Sequence, residues 1–344
     1  MLATEVVLAA VGEPETLRLH TRELPDPGPG QALVRVEASG VSFAEQQMRR
    51  GKYYDQPAFP FVPGYDLVGV VEALGGDAAG SPVQVGRRVA ALTKIGGWAD
   101  RVILDVADLV PVPDGVDAAA AETVVVNGVT AWRMLFRSAR VRAGDTIVVL
   151  GASGGVGSTL VQLARHAGIR VIGTASPRSH DRIRELGAIP VDYHDDVPAR
   201  VRELAPDGVA AVFDHVGGPG ITDSWHMLAR GGTLVSYGSA STRDRPGNGF
   251  VTVLKLVARL WIWNLLPNGR GASFFNLWAG RARRLDRYRA ELRADLEQVF
   301  ALLASGDITA QVARTFPLAD AAAALRYAEA GGFTGKVIIL PQSA

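Results

Sequence analysis

The stretch Thr146-Ile147-Val148-Val149-Leu150-Gly151-Ala152-Ser153-Gly154-Gly155-Val156-Gly157 decides the fold. Its first five residues are a short, largely β-branched apolar run, the pattern of a parallel strand buried on both faces. A glycine turn follows, and residues 158–166 then place Leu160, Val161, Leu163 and Ala164 at helical spacing. Gly168 ends that helix, and Arg170-Val171-Ile172-Gly173-Thr174 reads as the next strand. This order makes a βαβ unit whose first turn is a glycine loop. Glycines there permit a tight turn, close approach of backbone to a pyrophosphate, and packing of helix on strand. The phosphates sit at the helix N-terminus, where unpaired N–H groups and the helix dipole favour negative charge. Gly151, Ser153, Gly154, Gly155, Val156 and Gly157 are therefore the expected cradle of a dinucleotide.

Beyond Thr174 the alternation continues. A helix runs to Gly187, a strand lies near residues 190–193, and a helix starts at Pro198. The strand 208–213, another helix and the strand 233–237 follow. Repeated βα units with short links predict a doubly wound parallel sheet. The loops Asp214-His215-Val216-Gly217-Gly218 and Gly238-Ser239 fall at strand C-terminal ends, where such sheets bind ligands. Val216, Gly238 and Ser239 thus join the expected cofactor contacts.

Cofactor choice turns on the residues after the second strand. Enzymes that use NAD place an acidic residue there, about 20 residues past the glycine loop, to hold the ribose 2′-hydroxyl. This chain has Thr174-Ala175-Ser176-Pro177-Arg178-Ser179-His180, with no carboxylate before Asp181. Ser176, Arg178 and His180 suit a 2′-phosphate, arginine offering paired donors. The bland reading is an exposed polar loop. NADPH is the expected cofactor.

Before the dinucleotide unit, residues 1–122 read as β. Residues 32–38 alternate, with Val34 and Val36 on one face and Arg35 and Glu37 on the other. Residues 68–73 and 88–92 are further strands between glycine and proline turns. Such a series predicts a compact, barrel-like β domain. Residues 40–64 form a polar and aromatic loop or short helix, the kind of segment that carries function. Helical, alanine-rich sequence begins near Asp117 and leads to Asn127-Gly128-Val129-Thr130-Ala131-Trp132.

At the C-terminal side, residues 250–266 are strongly apolar, with Lys255, Arg259, Trp261 and Trp263 among them. They read as a pocket lining, a dimer seam or a membrane contact. Residues 281–304 read as one charged helix with a solvated face, 308–316 as a strand, 317–330 as a helix and 336–340 as a last strand. These last strands suit the first domain, to which the chain returns. The expected domains are 1–122 with 285–344, and 123–284 with an apolar insertion near 241–280.

The 344 residues suit two domains, and a net charge of +1 gives no bias toward nucleic acid. The absence of cysteine excludes disulfides, thiolate nucleophiles and cysteine-held zinc. With no signal-peptide pattern at Met1-Leu2-Ala3-Thr4-Glu5 and no apolar run of membrane-spanning length, a soluble cytoplasmic protein is expected.

Together these signals resemble the medium-chain dehydrogenase/reductase superfamily, in its zinc-independent quinone-oxidoreductase branch. The resemblance covers nearly the whole chain. It is carried by Gly40-Val41-Ser42-Phe43-Ala44-Glu45, Gly51-Lys52-Tyr53, Phe61-Val62-Pro63-Gly64-Tyr65-Asp66 and Val85-Gly86-Arg87-Arg88-Val89. The glycine loop, Asp192-Tyr193 and Gly335-Lys336-Val337-Ile338-Ile339-Leu340 complete it. The segment 241–280 is most similar to the vesicle amine transport protein group of that branch. The resemblance implies a GroES-like β domain joined to a Rossmann domain, nicotinamide chemistry in the cleft between them, and a homodimer.

It also implies roles. Zinc-dependent relatives hold their metal with a cysteine and a histidine where this chain has Ser42 and Tyr65, and their four-cysteine lobe is missing after Lys94. Hydroxyls do not replace thiolate and imidazole as a stable zinc set. Without a Lewis acid, hydride transfer to a quinone or an α,β-unsaturated ketone needs less help than alcohol oxidation. Tyr53 matches a tyrosine of the family's cleft and reads either as a proton donor to the acceptor oxygen or as a packed loop aromatic. Tyr54 is second for that role. Ser42 stands where the branch usually has asparagine. Thr130 and Asn127 match polar positions near the nicotinamide, Tyr193 a tyrosine near the adenosine, and Lys336 is placed with the cofactor contacts. The competing class is an NADP-binding adaptor that acts through protein or membrane contacts.

Overall fold

The structure, a computed structural model, describes residues 1–76, 83–238, 240 and 249–341, apart from the side chains at 249 and 250. Ser239 and positions 241–248 of the expected insertion lie outside the described residues. The chain divides into two units. One comprises residues 1–129, 280–331 and 335–344, the other residues 130–279 and 332–334.

The first unit is built on a sheet in the order Val312–Pro317, Lys336–Leu340, Gln31–Val41, Asp66–Leu74, Arg88–Leu92, Val110–Pro111. Arg101–Asp105 also pairs with Gln31–Val41. Pairing is antiparallel except between Val312–Pro317 and Lys336–Leu340. The alternation in residues 32–38 does what it predicts. Val34 and Val36 enter a core with Leu67, Val71, Val89 and Leu109. Arg35, on the opposite face, pairs with Glu72, while Glu37 pairs with Arg88. Cross-strand charge pairs of this kind support a half-exposed face.

The helix expected over 281–304 starts later, at Leu285, and runs to Ser305. Gly280, at φ +86°, instead makes a turn whose carbonyl accepts from Arg283 and Arg284 N–H. The helix buries Tyr288, Leu292, Leu296, Val299 and Phe300 on one face. Its charged face is only partly solvated, since Arg289 donates to Asp105 and Asp108 at 2.8–2.9 Å. Leu318–Asp320 form a single 3-10 turn, and the following helix is confined to Ala321–Ala330.

The second unit holds a six-stranded parallel sheet in the order Ala188–Asp192, Arg170–Ala175, Thr146–Val149, Val209–Asp214, Leu228–Ser236, Gly271–Phe274. Strand order reverses between Thr146–Val149 and Val209–Asp214, which are direct neighbours. The crevice at the C-terminal ends of such a pair is where open α/β sheets bind ligands. Ile147, Val148, Val149, Val212 and Phe213 are fully buried, as a sheet covered on both faces requires. The helix after the glycine loop starts at Gly155, three residues before the expected Ser158, so Gly155 and Gly157 lie in its first turn.

The apolar segment is a helix, Gly249–Trp263. Its inner face puts Leu256, Leu260 and Trp263 against the sheet's core, with Trp263 stacked on Trp225 at 5.0 Å. The Asn264 side chain then exchanges hydrogen bonds of 2.7 and 2.8 Å with the Ala272 backbone, tying the helix to the edge strand. The outer face leaves Leu254, Trp261 and Ile262 each more than half exposed. Among the described residues no helix is long and apolar enough to cross a membrane.

Candidate functional site

In the second unit the glycine loop is tied to the neighbouring strand. Gly151 N–H donates to Thr174 Oγ1 at 2.9 Å and Ala152 N–H to Thr174 O at 2.8 Å. A side chain at Gly157 would place Cβ 2.2 Å from Gly151 O, so helix and loop close on each other only without one. Gly154, by contrast, has only an ordinary contact at 3.4 Å. Gly154 is the N-cap and no side chain caps this helix, which leaves first-turn N–H groups to an outside acceptor. The backbone through Ser153 and Val156 belongs to the same cradle.

His215 was not among the expected site residues, yet it packs directly on this loop. Its Nδ1 lies 2.9 Å from Leu150 O, and a Cβ at Gly151 would meet the ring at 2.3 Å. Burial lowers the His215 pKa against the pull of Asp214, so the neutral ring donates Nδ1–H to that carbonyl. Asp214 shapes the adjoining turn. One carboxylate oxygen accepts Val216 and Gly217 N–H, each at 2.8 Å, and the other accepts Ser224 Oγ–H at 2.8 Å. A Cβ at Gly238 would sit 2.6 Å from His215 O. Val216, Gly238 and the glycine loop thus gather around His215; the Asp-His-Val-Gly-Gly string was the available signal.

Ser176, Arg178, His180 and Tyr193 follow the C-terminal ends of the next two strands. Ser176 directly follows Arg170–Ala175 and opens the turn Pro177–Ser179. Arg178 is exposed there, its guanidinium beside Gly332. His180 Nε2 is 3.2 Å from Ala175 O, and Tyr193, half exposed after Ala188–Asp192, reaches Ala175 O with its N–H. Asn127 and Thr130 share the helix Val125–Trp132, and both are buried. Asn127 donates to Thr123 O at 3.0 Å.

In the first unit Ser42 caps the helix Phe43–Arg49. Ser42 N–H donates to Glu45 Oε2 at 2.8 Å, and Ser42 Oγ accepts from Ala44 N–H while contacting Glu45. Glu45 reaches further, its Oε1 accepting Tyr65 N–H at 2.7 Å. The Tyr65 and Tyr53 hydroxyls are 2.9 Å apart, and the Tyr53 ring lies 4.8 Å from that of Tyr54. Burial, then the two neighbouring phenols, push the Tyr53 pKa far up, so Tyr53 is a neutral donor.

Lys336, expected among the cofactor contacts, is held by two carboxyls of the first unit. It is buried, with Nζ 2.6 Å from Asp66 Oδ2 and 2.8 Å from Glu122 Oε1. Asp66 Oδ2 also accepts Val126 N–H at 2.8 Å, holding the start of the helix that carries Asn127 and Thr130. Burial and the adjacent Asp66 raise Glu122 well above the usual carboxylate range. Against burial, which alone would lower it, Asp66 and Glu122 raise Lys336. Of the two carboxyls it is Glu122 whose proton is held beyond the usual range. No motif in the sequence marked Asp66 or Glu122 as partners of Lys336.

Residues 186–339 match the family described as zinc-binding dehydrogenase, and residues 28–114 the alcohol dehydrogenase GroES-like domain. The rat synaptic vesicle membrane protein VAT-1 homolog is 32% identical over 98% of this chain and 83% of its own length. The chain belongs to the medium-chain dehydrogenase/reductase superfamily. Within it, the quinone oxidoreductase of Pseudomonas aeruginosa is 33% identical over 99% of this chain and all of its own. Among solved structures, the human synaptic vesicle membrane protein VAT-1 homolog-like protein superposes with a TM-score of 0.84 at 27% identity, covering 100% of this chain and 99% of its own. A mycobacterial protein solved in complex with NADPH gives 0.84 at 32% identity over 98% of this chain and 100% of its own. These dehydrogenase/reductase relatives place the chain in the quinone-oxidoreductase and VAT-1 group, with a GroES-like domain and a Rossmann-type parallel sheet. Among the described residues no three His, Asp or Glu side chains gather as metal ligands. Ser42 and Tyr65, at the positions compared with the metal's cysteine and histidine, have their hydroxyls against Glu45 and Tyr53.

Proposed function

We propose that this chain is an NADPH-dependent oxidoreductase that reduces a quinone or an α,β-unsaturated carbonyl without zinc. The observation that carries the reading is the glycine loop whose adjoining strand end bears Ser176, Arg178 and His180 and no carboxylate. The related mycobacterial structure holding NADPH and the related Pseudomonas quinone oxidoreductase support it.

NADPH, when bound, supplies the hydride. The N–H groups of residues 151–157 hold the pyrophosphate, and Arg178 with Ser176 and His180 holds the 2′-phosphate, beside Tyr193 at the adenosine. Val216 and Gly238 border the cofactor. Asn127, Thr130 and Ser42 orient the nicotinamide and acceptor. Tyr53, held neutral, donates to the acceptor oxygen as negative charge grows there. A cytoplasmic homodimer acting on a small molecule goes with this reading. The test follows NADPH absorbance with a panel of quinones and enones, with a strong chelator present and zinc measured in the purified protein. Acceptor-dependent oxidation that survives chelation is expected. One zinc per chain with activity lost on chelation would overturn the metal-free part.

A second reading, an NADP-binding adaptor, is favoured by one feature. The exposed face of Gly249–Trp263 carries Leu254, Trp261 and Ile262 beside Lys255 and Arg259, and no acidic residue occurs between Asp244 and Asp286. Apolar and cationic side chains in this arrangement suit an anionic membrane interface. Flotation with anionic liposomes, together with no turnover of any acceptor, would favour it over the enzyme.

A further inference from the structure

We infer that Tyr65 is a positioning residue for the proposed proton donor Tyr53, the hydroxyl that hydrogen-bonds Tyr53 from behind while Tyr53 serves the acceptor. The inference rests on the reductase reading above and names a residue that reading does not use.

Tyr65 is held more firmly than Tyr53. Its N–H is fixed by Glu45, itself locked in the Ser42 capping box. Its carbonyl accepts Thr93 and Lys94 N–H at 2.9 and 3.0 Å. Gly64 before it sits at φ +107°, and a Cβ there would meet Trp98 N at 2.4 Å. The Tyr65 ring is buried, edge-on to Tyr53 at 6.4 Å and 86°. Tyr53, in contrast, stands half-buried outside any helix or strand, two residues after the turn at Gly51. A fixed phenol thus meets a less constrained one, hydroxyl to hydroxyl, at 2.9 Å.

A hydroxyl both donates and accepts, so this bond runs in either direction. With no acceptor present the two hydroxyls hydrogen-bond each other, and burial above all keeps Tyr53 neutral. In the reaction the acceptor carbon takes hydride from NADPH, leaving NADP, and negative charge builds on the acceptor oxygen. Tyr53 passes its proton to that oxygen. Tyr65 now donates to the Tyr53 oxygen, which carries the charge left behind, and solvent returns the proton to Tyr53. Such a chain polarises cooperatively, each donor strengthening the next. Tyr54 also contacts the Tyr53 hydroxyl, but Tyr54 is only half-buried and Asp55 follows it. The buried, anchored phenol is therefore the one that positions.

The test compares Tyr65→Phe, Tyr54→Phe, Tyr53→Phe and the Tyr53→Phe/Tyr65→Phe pair, each ring keeping its packing. Tyr65→Phe is expected to lower kcat about tenfold, as one lost hydrogen bond does, with KM for NADPH unchanged. In the Tyr53→Phe background it should cost nothing further, because the two act as one unit. A second readout needs no turnover. In NADPH-free protein labelled with carbon-13 at the tyrosine ring carbon bearing the hydroxyl, the Tyr53 resonance should move in Tyr65→Phe. An unchanged kcat in Tyr65→Phe beside a slow Tyr53→Phe would overturn the role of Tyr65 alone. So would independent, multiplying losses in the pair, or a loss found in Tyr54→Phe instead. Full turnover by Tyr53→Phe would overturn the donor reading itself and this inference with it.

Discussion

Lys336 Nζ lies 2.6 Å from Asp66 Oδ2, across 270 residues of sequence, with both side chains sealed from solvent. Glu122 completes the cluster, and Gly40 makes room for it, since a Cβ there would meet Lys336 Cε at 2.1 Å. The cluster joins the last strand of the first unit to the strand that begins at Asp66 and to the start of the helix Val125–Trp132.

Lys336→Met should therefore destabilise the protein by about 3–5 kcal/mol, because removing one partner leaves buried carboxyls without a counter-charge. The loss should depend on pH. Glu122 has a folded pKa above its ordinary value of 4.5. Between those two values the folded protein holds a proton that the unfolded chain has released, so stability falls as pH rises through that window. Lys336, raised above 10.5, contributes stability below that value and loses it in more alkaline solution. Without the ammonium, which lowers it, Glu122 holds its proton more tightly still. The gap between parent and variant in denaturant midpoint should widen from about pH 5 to about pH 8. A gap that narrows over that range would contradict the raised pKa of Glu122.

Two glycines of one loop should behave differently. Gly157→Ala places a methyl group 2.2 Å from Gly151 O, so it should lower the melting temperature of the cofactor-free protein. Gly154→Ala meets nothing closer than 3.4 Å and should melt near the parent temperature. Its methyl group should instead weaken NADPH binding, because the backbone there is expected to approach the pyrophosphate. Calorimetry and cofactor titration on both variants check this. Equal melting temperatures for the two would show that the close contact at Gly157 relaxes freely.

Arg178→Ala should remove most of the preference for NADPH over NADH. A charge-assisted contact is worth about 1.5–3 kcal/mol, so the ratio of the two dissociation constants should fall about tenfold to a hundredfold. The exposed guanidinium at the end of the second parallel strand motivates this, with no carboxylate between Thr174 and Asp181. Fluorescence titration with both cofactors decides it. Equal affinities in the unmodified protein would remove the basis for assigning a 2′-phosphate contact to Arg178.

The sequence by itself determined the parts governed by short-range pattern. The run at residues 146–150, the glycines after it and the spacing of Leu160, Val161 and Leu163 admit one local arrangement, and the parallel sheet follows from its repetition. Alternation likewise placed Val34 inward and Arg35 outward, because side chains of a strand point to opposite faces in turn. Helix limits were less legible. Gly280 ends one segment by its backbone conformation and delays the next helix to Leu285, which composition alone does not reveal. Only the tertiary structure decided the partners of residues far apart in the chain. Lys336 went to Asp66 and Glu122, His215 came to rest on Gly151, and Tyr65 met Tyr53. The physical reason is that a buried polar group must find its partner wherever the packed backbone brings one within hydrogen-bonding distance. That distance depends on how strands are ordered in a sheet, which no local pattern encodes.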